Sequence, residues 1–222
     1  MGKKIVASVA LSVSLLGVAS AQSSGVFIGI NAGVSLTQPT YSGAFETMQD
    51  ALSQKGIGWV NGVDLGYKKA MNEKWGLRYY LSYNYSQSYG LKESSVNPNI
   101  TETDTDIVQQ LITANVDLWF HFTRSFGAYV GIGAGYQRFK PSWTITTTGQ
   151  KTTFGDLNKG GLAVPLNVGL TWNFNNAHQI LYGVKIPLIS YDYEINVPSQ
   201  QGGAGTAGLR AYIMSIGYNY TF

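Results

Sequence analysis

The sequence predicts an all-β fold: an eight-stranded antiparallel up-and-down β-barrel that turns its apolar face outward. Three observations predict it. Eight segments alternate apolar with polar residues at a period of two. The connections between them alternate long and polar with short and tight. Charged residues make up 12% of the chain and aromatics 13%, whereas soluble domains carry roughly 25% charge. Beyond the N-terminus no stretch offers about 18 uninterrupted apolar residues for a membrane helix. In lipid every backbone polar group must be paired within the protein, so strands can cross only as a closed, even set. The eight segments are therefore read as a transmembrane β-barrel with long extracellular loops and short periplasmic turns.

Lys3 and Lys4 form a basic start, Ile5 to Val18 is apolar with small side chains, and Ala19-Ser20-Ala21 fits a small-x-small cleavage site. Residues 1–21 are expected to be a cleaved signal peptide and residues 22–222 one barrel domain. The formal charge of +3 includes both lysines, which leaves the mature chain near neutral with no basic patch for nucleic acid. The absence of cysteine excludes a disulfide scaffold, thiol catalysis and thiolate metal sites.

The first segment runs Val26, Ile28, Ile30, Ala32, Val34, Leu36 on its oily face. A polar stretch, Gln38 to Gly56, follows, with a short helix expected near Phe45–Leu52. The second carries Trp59, Val63, Leu65 and Tyr67, interrupted by Asn61. After a tight turn at Met71–Lys74, the third sets Trp75, Leu77, Tyr79, Leu81, Tyr83 and Tyr85 against Gly76, Arg78, Tyr80, Ser82 and Asn84. Leu91 to Asp106 is long, polar and acidic. The fourth (Ile112, Ala114, Val116, Leu118, Phe120, Phe122) turns through Thr123–Ser125 into the fifth (Phe126, Ala128, Val130, Ile132, Ala134, Tyr136). Lys140 to Lys159 is a third long connection, in which Thr144–Thr148 and Thr152–Phe154 suggest a hairpin above the membrane. The sixth (Leu162 to Phe174) and seventh (Ile180 to Leu188) flank the short turn Asn175–His178. Asn196 to Gly208 is read as the fourth long loop before the closing strand.

Side-chain parity supports this register. Trp59, Tyr83, Tyr85, Tyr136 and Tyr212 fall near the outer level, and Tyr67, Trp75, Phe122, Phe126, Trp172, Phe174, Tyr220 and Phe222 near the periplasmic level, as two interfacial girdles. Asp64, Arg78, Asp117 and Lys185 all land on the polar face, where two acids and two bases can neutralise each other inside. The lumen of eight strands is just wide enough for side chains to fill, and Trp119, Tyr80 and Tyr129 join these charges to plug it. Pro165 and Pro187 cannot donate to a ladder, so each is expected at a bulge or distorted register facing the lumen.

The last strand alternates Tyr212, Met214, Ile216, Tyr218, Tyr220 and Phe222 with smaller or polar residues and ends on the aromatic. Here the chain resembles bacterial outer-membrane β-barrels, whose terminal Phe and aromatics spaced by two are read by the barrel-assembly machinery. The resemblance implies that Tyr218, Tyr220 and Phe222 form that assembly signal. Tyr182-Gly183-Val184-Lys185-Ile186-Pro187-Leu188-Ile189, with Tyr191 and Tyr193, resembles the penultimate-strand pattern of the Helicobacter outer membrane protein family. That family's larger members include adhesins and porins; this chain has no large extracellular domain to match them.

The chemistry expected is sparse. His121 and His178, the only histidines, map to the periplasmic end, so a nucleophile at the outer rim of the kind found in lipid-modifying barrels would lack its base. Gly131-Ile132-Gly133-Ala134-Gly135 lies within a strand and with no helix after it, which excludes a dinucleotide loop; the glycines are expected to make room for Trp119, Tyr80 or another large lumen side chain. Glu102, Asp104 and Asp106 read as a solvated loop. No enzyme activity, cofactor or metal is expected. The expected role is envelope-structural and surface-interacting, carried by the extracellular loops; a narrow channel for small solutes is the alternative, and a lipid-modifying enzyme comes third. The partners expected are outer-membrane lipid and lipopolysaccharide, the assembly machinery, and a host or matrix ligand at the loops, with the chain a monomer.

Overall fold

The computed structural model describes residues 24–46, 49, 52–90, 100–147, 149–197 and 203–222. The expected signal peptide lies outside these, as does part of the helix expected near Phe45–Leu52; of the latter, the Leu52 N–H bonds the Gln49 carbonyl at 3.2 Å.

Strands β1 (Gly25–Gly43), β2 (Gly56–Ala70), β3 (Trp75–Gly90), β4 (Ile100–His121) and β5 (Phe126–Thr147) follow one another as antiparallel neighbours. The sixth wall position is shared by β6 (Gln150–Gly155), β7 (Lys159–Ala163) and β8 (Pro165–Asn173), and the seventh by β9 (His178–Pro187) and β10 (Tyr191–Val197). Strand β11 (Gly203–Thr221) pairs with β9 and β10 on one side and β1 on the other, closing a ring of eight wall positions. Partner to partner round the wall, Gly131 leads through Asn167, Lys185, Ile213, Ser35, Gly58, Ser88 and Ile107 to Pro141. The path returns to the same strand ten residues higher, from position 131 to position 141. That stagger is what tilts the strands against the barrel axis.

The outward face is apolar. Tyr79, Val116, Ile132 and Ile216 are 42%, 44%, 52% and 63% exposed, which puts them on the exterior of the ring and not in a shared core. The residues of opposite parity on the wall strands, among them Thr113, Asn115 and Asp117 of β4 and Asn167 of β8, are buried in the lumen. The wall is inside out relative to a soluble barrel, as lipid requires.

That inversion stops at the outer girdle. On β5 the outward residues pass from Ile132 and Tyr136 to an exposed Arg138, while the inward ones pass from Gln137 to Phe139, Trp143 and Ile145, all buried. On β11 the outward face passes from Tyr212 to an exposed Arg210, while Ile213, Leu209 and Ala207 point inward and are buried. Above this level the wall meets water, so the ordinary polarity of a soluble sheet returns.

This corrects the loop assignments. The stretches read as long loops are in part strand: β1 continues to Gly43, β4 begins at Ile100, and within the segment 196–208 β10 runs to Val197 and β11 starts at Gly203. The hairpin expected above the membrane is present, with Thr144 opposite Thr153. β4 and β5, at 22 residues each, are about twice the roughly 9–11 residues a crossing needs.

Pro165 and Pro187 are register partners across β8 and β9. Both strands break at them, and one bond, Leu188 N–H to the Val164 carbonyl at 2.9 Å, continues past the pair. Leu162 and Leu188, flanking the break, are both exposed on the outward face. The prolines thus interrupt the ladder where the wall leaves hydrocarbon and unpaired backbone can reach water.

Candidate functional site: the lumen plug and the extracellular cap

Two layers fill the barrel. The lower is polar and sits at mid-membrane. Arg78 and Asp117 are Cα partners across β3 and β4, and the guanidinium Nη2 and Nε reach one carboxylate oxygen at 2.5 and 3.2 Å. Asp117 is 0% exposed. Its other oxygen accepts from Asn167 Nδ2 at 3.2 Å. The Arg78 guanidinium also lies 4.9 Å from the Tyr80 ring centre and 4.6 Å from that of Tyr129, a cation–π sandwich in a desolvated setting.

The other two charges expected in this network bond amides. Asp64 Oδ2 accepts from Asn31 Nδ2 at 3.4 Å, and Lys185 Nζ donates to Asn167 Oδ1 at 3.3 Å. The network is therefore one direct ion pair, with Lys185 joined to it through Asn167 and Asp64 held apart on Asn31, which in turn accepts from Asn84. Lys68 is a fifth titratable residue buried in the lumen, outside the four expected in the network. It is 3% exposed, with its Nζ 4.9 Å from the centre of Trp119.

The glycines act sterically, but not quite as expected. Those of β5 accommodate Asp117 (at Gly131) and Asn115 (at Gly133), not a large aromatic. The aromatics lie over glycines of other strands: Trp119 over Gly76, Tyr80 over Gly66, and Tyr129 over Gly169 and Gly183. What remains open at this level is a cavity of about 40 Å³, enough for a water or two.

The upper layer is apolar and lies above the membrane. Phe45, Ile107, Phe139, Trp143, Phe154, Tyr193 and Leu209 pack as one buried cluster. Trp143 is the hub: its ring centre is 5.2 Å from Phe45 and 5.8 Å from both Phe154 and Tyr193. Its indole N–H donates to Tyr41 Oη at 3.2 Å, and Tyr41 in turn donates to the Ser53 carbonyl at 2.8 Å. Burial holds the Tyr41 phenol well above its ordinary pKa, and does the same more weakly for Tyr193. Nothing in the alternation of the wall strands at membrane level announces this cap. Its signal is parity: Phe139, Trp143 and Ile145 share the inward register of Gln137.

The girdle residues Trp59, Tyr67, Trp75, Tyr83, Phe122, Phe126, Tyr136 and Trp172 stand exposed on the outer face, with Tyr85, Phe174 and Tyr212 half-buried beside them. Tyr218 and Phe222 are also exposed; Tyr220 packs against Phe222 at 5.0 Å. The histidines are at the periplasmic end. His121 packs against Trp119 at 4.6 Å with the rings tilted by 33°, and its Nε2 bonds Asn173 Nδ2 at 3.1 Å; His178 Nδ1 bonds Tyr218 Oη at 2.5 Å. Asp106 accepts from Gln87 at 2.8 Å, and among the described residues no cluster of acids and histidines has metal-binding geometry.

A closed ring of eight wall positions, oily outside and plugged inside, defines an outer-membrane β-barrel. Residues 62–222 match the Helicobacter outer membrane protein family model, and the chain belongs to that family. No curated protein matches it. Among solved structures it is similar to Neisserial surface protein A (14% identity, 90% of this chain and 100% of that one, TM-score 0.49). It is likewise similar to OprG of Pseudomonas aeruginosa (14% identity, 93% and 100%, TM-score 0.49). A third is Ail, the attachment invasion locus protein of Yersinia pestis (15% identity, 88% and 99%, TM-score 0.40).

Proposed function

We propose that this outer-membrane barrel is non-enzymatic and acts at the cell surface, with its extracellular rim as the interaction surface. The observation that carries the proposal is the cap. Phe45, Trp143, Phe154 and Tyr193 close the outer mouth with a water-excluding core, so the rim is a rigid extramembrane stub and not the vestibule of a wide pore. A rigid scaffold presenting variable loops is the usual way to build a binding surface. The histidines support the non-enzymatic reading, because both are engaged at the periplasmic end. Lipopolysaccharide around the girdles and a host or matrix ligand at the rim are the partners proposed.

The test is surface display of the chain in a non-adherent bacterium. Binding to epithelial cells or matrix protein is expected, with loss on deletion of residues 91–99 or 198–202. Undiminished binding by both deletions overturns the proposal. The channel reading makes the opposite demand, that single-channel steps appear in planar bilayers. The buried Arg78–Asp117 plug and the cap together favour their absence.

A further inference from the structure

The outward face shared by β2, β1 and β11 carries two polar groups that nothing above has used. The first is Asn61. It is exposed on β2, one outward step below the girdle residue Trp59. The residues one step below the girdle on other strands, Tyr83, Ala134 and Met214, are aromatic or apolar. Among the described residues no hydrogen bond satisfies the Asn61 carboxamide, and an amide left unpaired in hydrocarbon is unfavourable. Its partner across the ladder is Ala32, the smallest membrane-level residue on the outward face of β1, so the wall dips beside the amide.

The second is Arg210. It is exposed on β11, one outward step above the girdle residue Tyr212, and its partner on β1 is the exposed Gln38. Asp192, opposite Gly208, is the next outward acid along the neighbouring strand. Among the described residues no ion pair joins it to Arg210. With a rise of about 3.3 Å per residue and a strand tilt of about 40°, Arg210 and Asn61 lie about 10 Å apart along the membrane normal. The cation is above the girdle and the carboxamide below it, both in the outer leaflet.

We propose that this face docks one phosphorylated glycolipid of the outer leaflet. A phosphate pairs with Arg210 and a sugar hydroxyl with Gln38. An amide-linked, hydroxylated acyl chain bonds Asn61 and lays its methylenes over Ala32. The inference deepens the proposal that lipopolysaccharide surrounds the girdles, and rests on it. Depth and hydrogen-bond chemistry select the ligand. A sugar ring between the phosphate and the acyl amides spans the separation of Arg210 from Asn61, whereas a glycerophospholipid carries its esters close under the phosphate. A carboxamide both donates and accepts, which suits an amide or hydroxyl; an ester only accepts. A second copy of the chain could pair with Asn61 but would leave Arg210 without an anion.

The test is native mass spectrometry of the full-length protein folded in detergent. It is titrated with bisphosphorylated lipid A, with the same lipid dephosphorylated, and with phosphatidylglycerol. One tightly held lipid A is expected, with each of the other two lipids weaker by about tenfold or more. Arg210→Met should lose about tenfold for lipid A and no longer distinguish its two phosphorylation states. Asn61→Leu should lose about fivefold for both forms. Arg138→Met, above Tyr136 and Ala134 on β5, should change the first binding step by less than about twofold. Wild-type preference retained in both site variants, or an equal loss for Arg138→Met, overturns this site and leaves lipopolysaccharide as a partner. Phosphatidylglycerol held as tightly as lipid A overturns both. Dimers that disappear in Asn61→Leu show the carboxamide pairing with a second copy, and also overturn the site. Heat-modifiable migration checks that each variant is folded. The comparison of phosphorylated with dephosphorylated lipid is made on the wild type, so it decides even where a variant fails that check.

Discussion

Replacing Arg78 with Met asks how far the lumen charges hold the barrel. The substitution keeps side-chain length and deletes both contacts to Asp117 Oδ2. It leaves a carboxylate that is 0% exposed with a single side-chain donor, Asn167. Removing one member of a buried pair typically costs about 3–5 kcal/mol, mostly from the stranded charge. The lost contacts with Tyr80 and Tyr129 act in the same direction, at about 0.5–2 kcal/mol each. Adding Asp117→Leu removes the stranded charge, and such paired replacements are often neutral. Reversible urea unfolding in phospholipid vesicles, followed by tryptophan fluorescence, is expected to give a loss of about 4 kcal/mol for the single variant. The double variant should recover more than half of it, a coupling of about 2 kcal/mol or more. A single-variant loss below about 1 kcal/mol, or a double variant as unstable as the sum of its parts, would refute the reasoning.

The remaining predictions concern packing, the lipid face and pH. A Cβ at Gly183 meets first the Tyr129 hydroxyl; Gly183→Ala should cost about 1–3 kcal/mol by overpacking, and Tyr129→Phe should suppress it in the same unfolding assay. Ile132→Arg places a cation on the lipid face and should cost about 2–4 kcal/mol, whereas Arg138→Ile, above the girdle, should cost far less. Trp143→Ala empties the centre of the cap and should lose about 3–5 kcal/mol, seen as rapid proteolysis of the extracellular hairpins with the membrane ladder still protected. Tyr41 is held neutral by burial, its pKa raised. Its contribution is therefore complete below the unfolded phenol value of about 10, and declines as pH rises beyond that toward the folded value. Alkaline melting of the cap, followed by near-ultraviolet circular dichroism, should show this dependence in wild type and show it weakened in Tyr41→Phe, where only the smaller share of Tyr193 remains.

The membrane-level fold was legible because lipid imposes one rule on every strand. Tyr79, Val116, Ile132 and Ile216 share a parity that places them outside whatever the exact pairing. The plug was half legible. Parity alone puts Arg78 and Asp117 inside, but their contact depends on a register set between strands 39 positions apart in sequence, which alternation does not encode. The cap was not legible. Once the wall rises into water its outer face turns polar, so the strand ends around Thr40, Asp104 and Asn196 read as loops, and the hairpin at Thr144 and Thr153 reads as a hairpin without the core that Trp143 and Phe154 build beneath it. The shared break was hidden for a related reason: each proline announces an interruption, but only the register sets Pro165 opposite Pro187.

Accessibility along β5 tests the inside-out wall most directly. Because the chain lacks cysteine, single cysteines carrying nitroxide labels can be placed at successive positions from 126 to 145. Their collision rates with oxygen, which partitions into lipid, and with a water-soluble nickel chelate are then compared. The structure requires oxygen access in phase with Val130, Ile132, Ala134 and Tyr136. Above Tyr136 the same parity should switch to the nickel chelate at Arg138 and Lys140, while Phe139 and Trp143 positions stay shielded from both. Oxygen maxima at Gly131, Gly133 and Gly135, or no switch across Tyr136, would contradict a barrel that faces lipid below and water above.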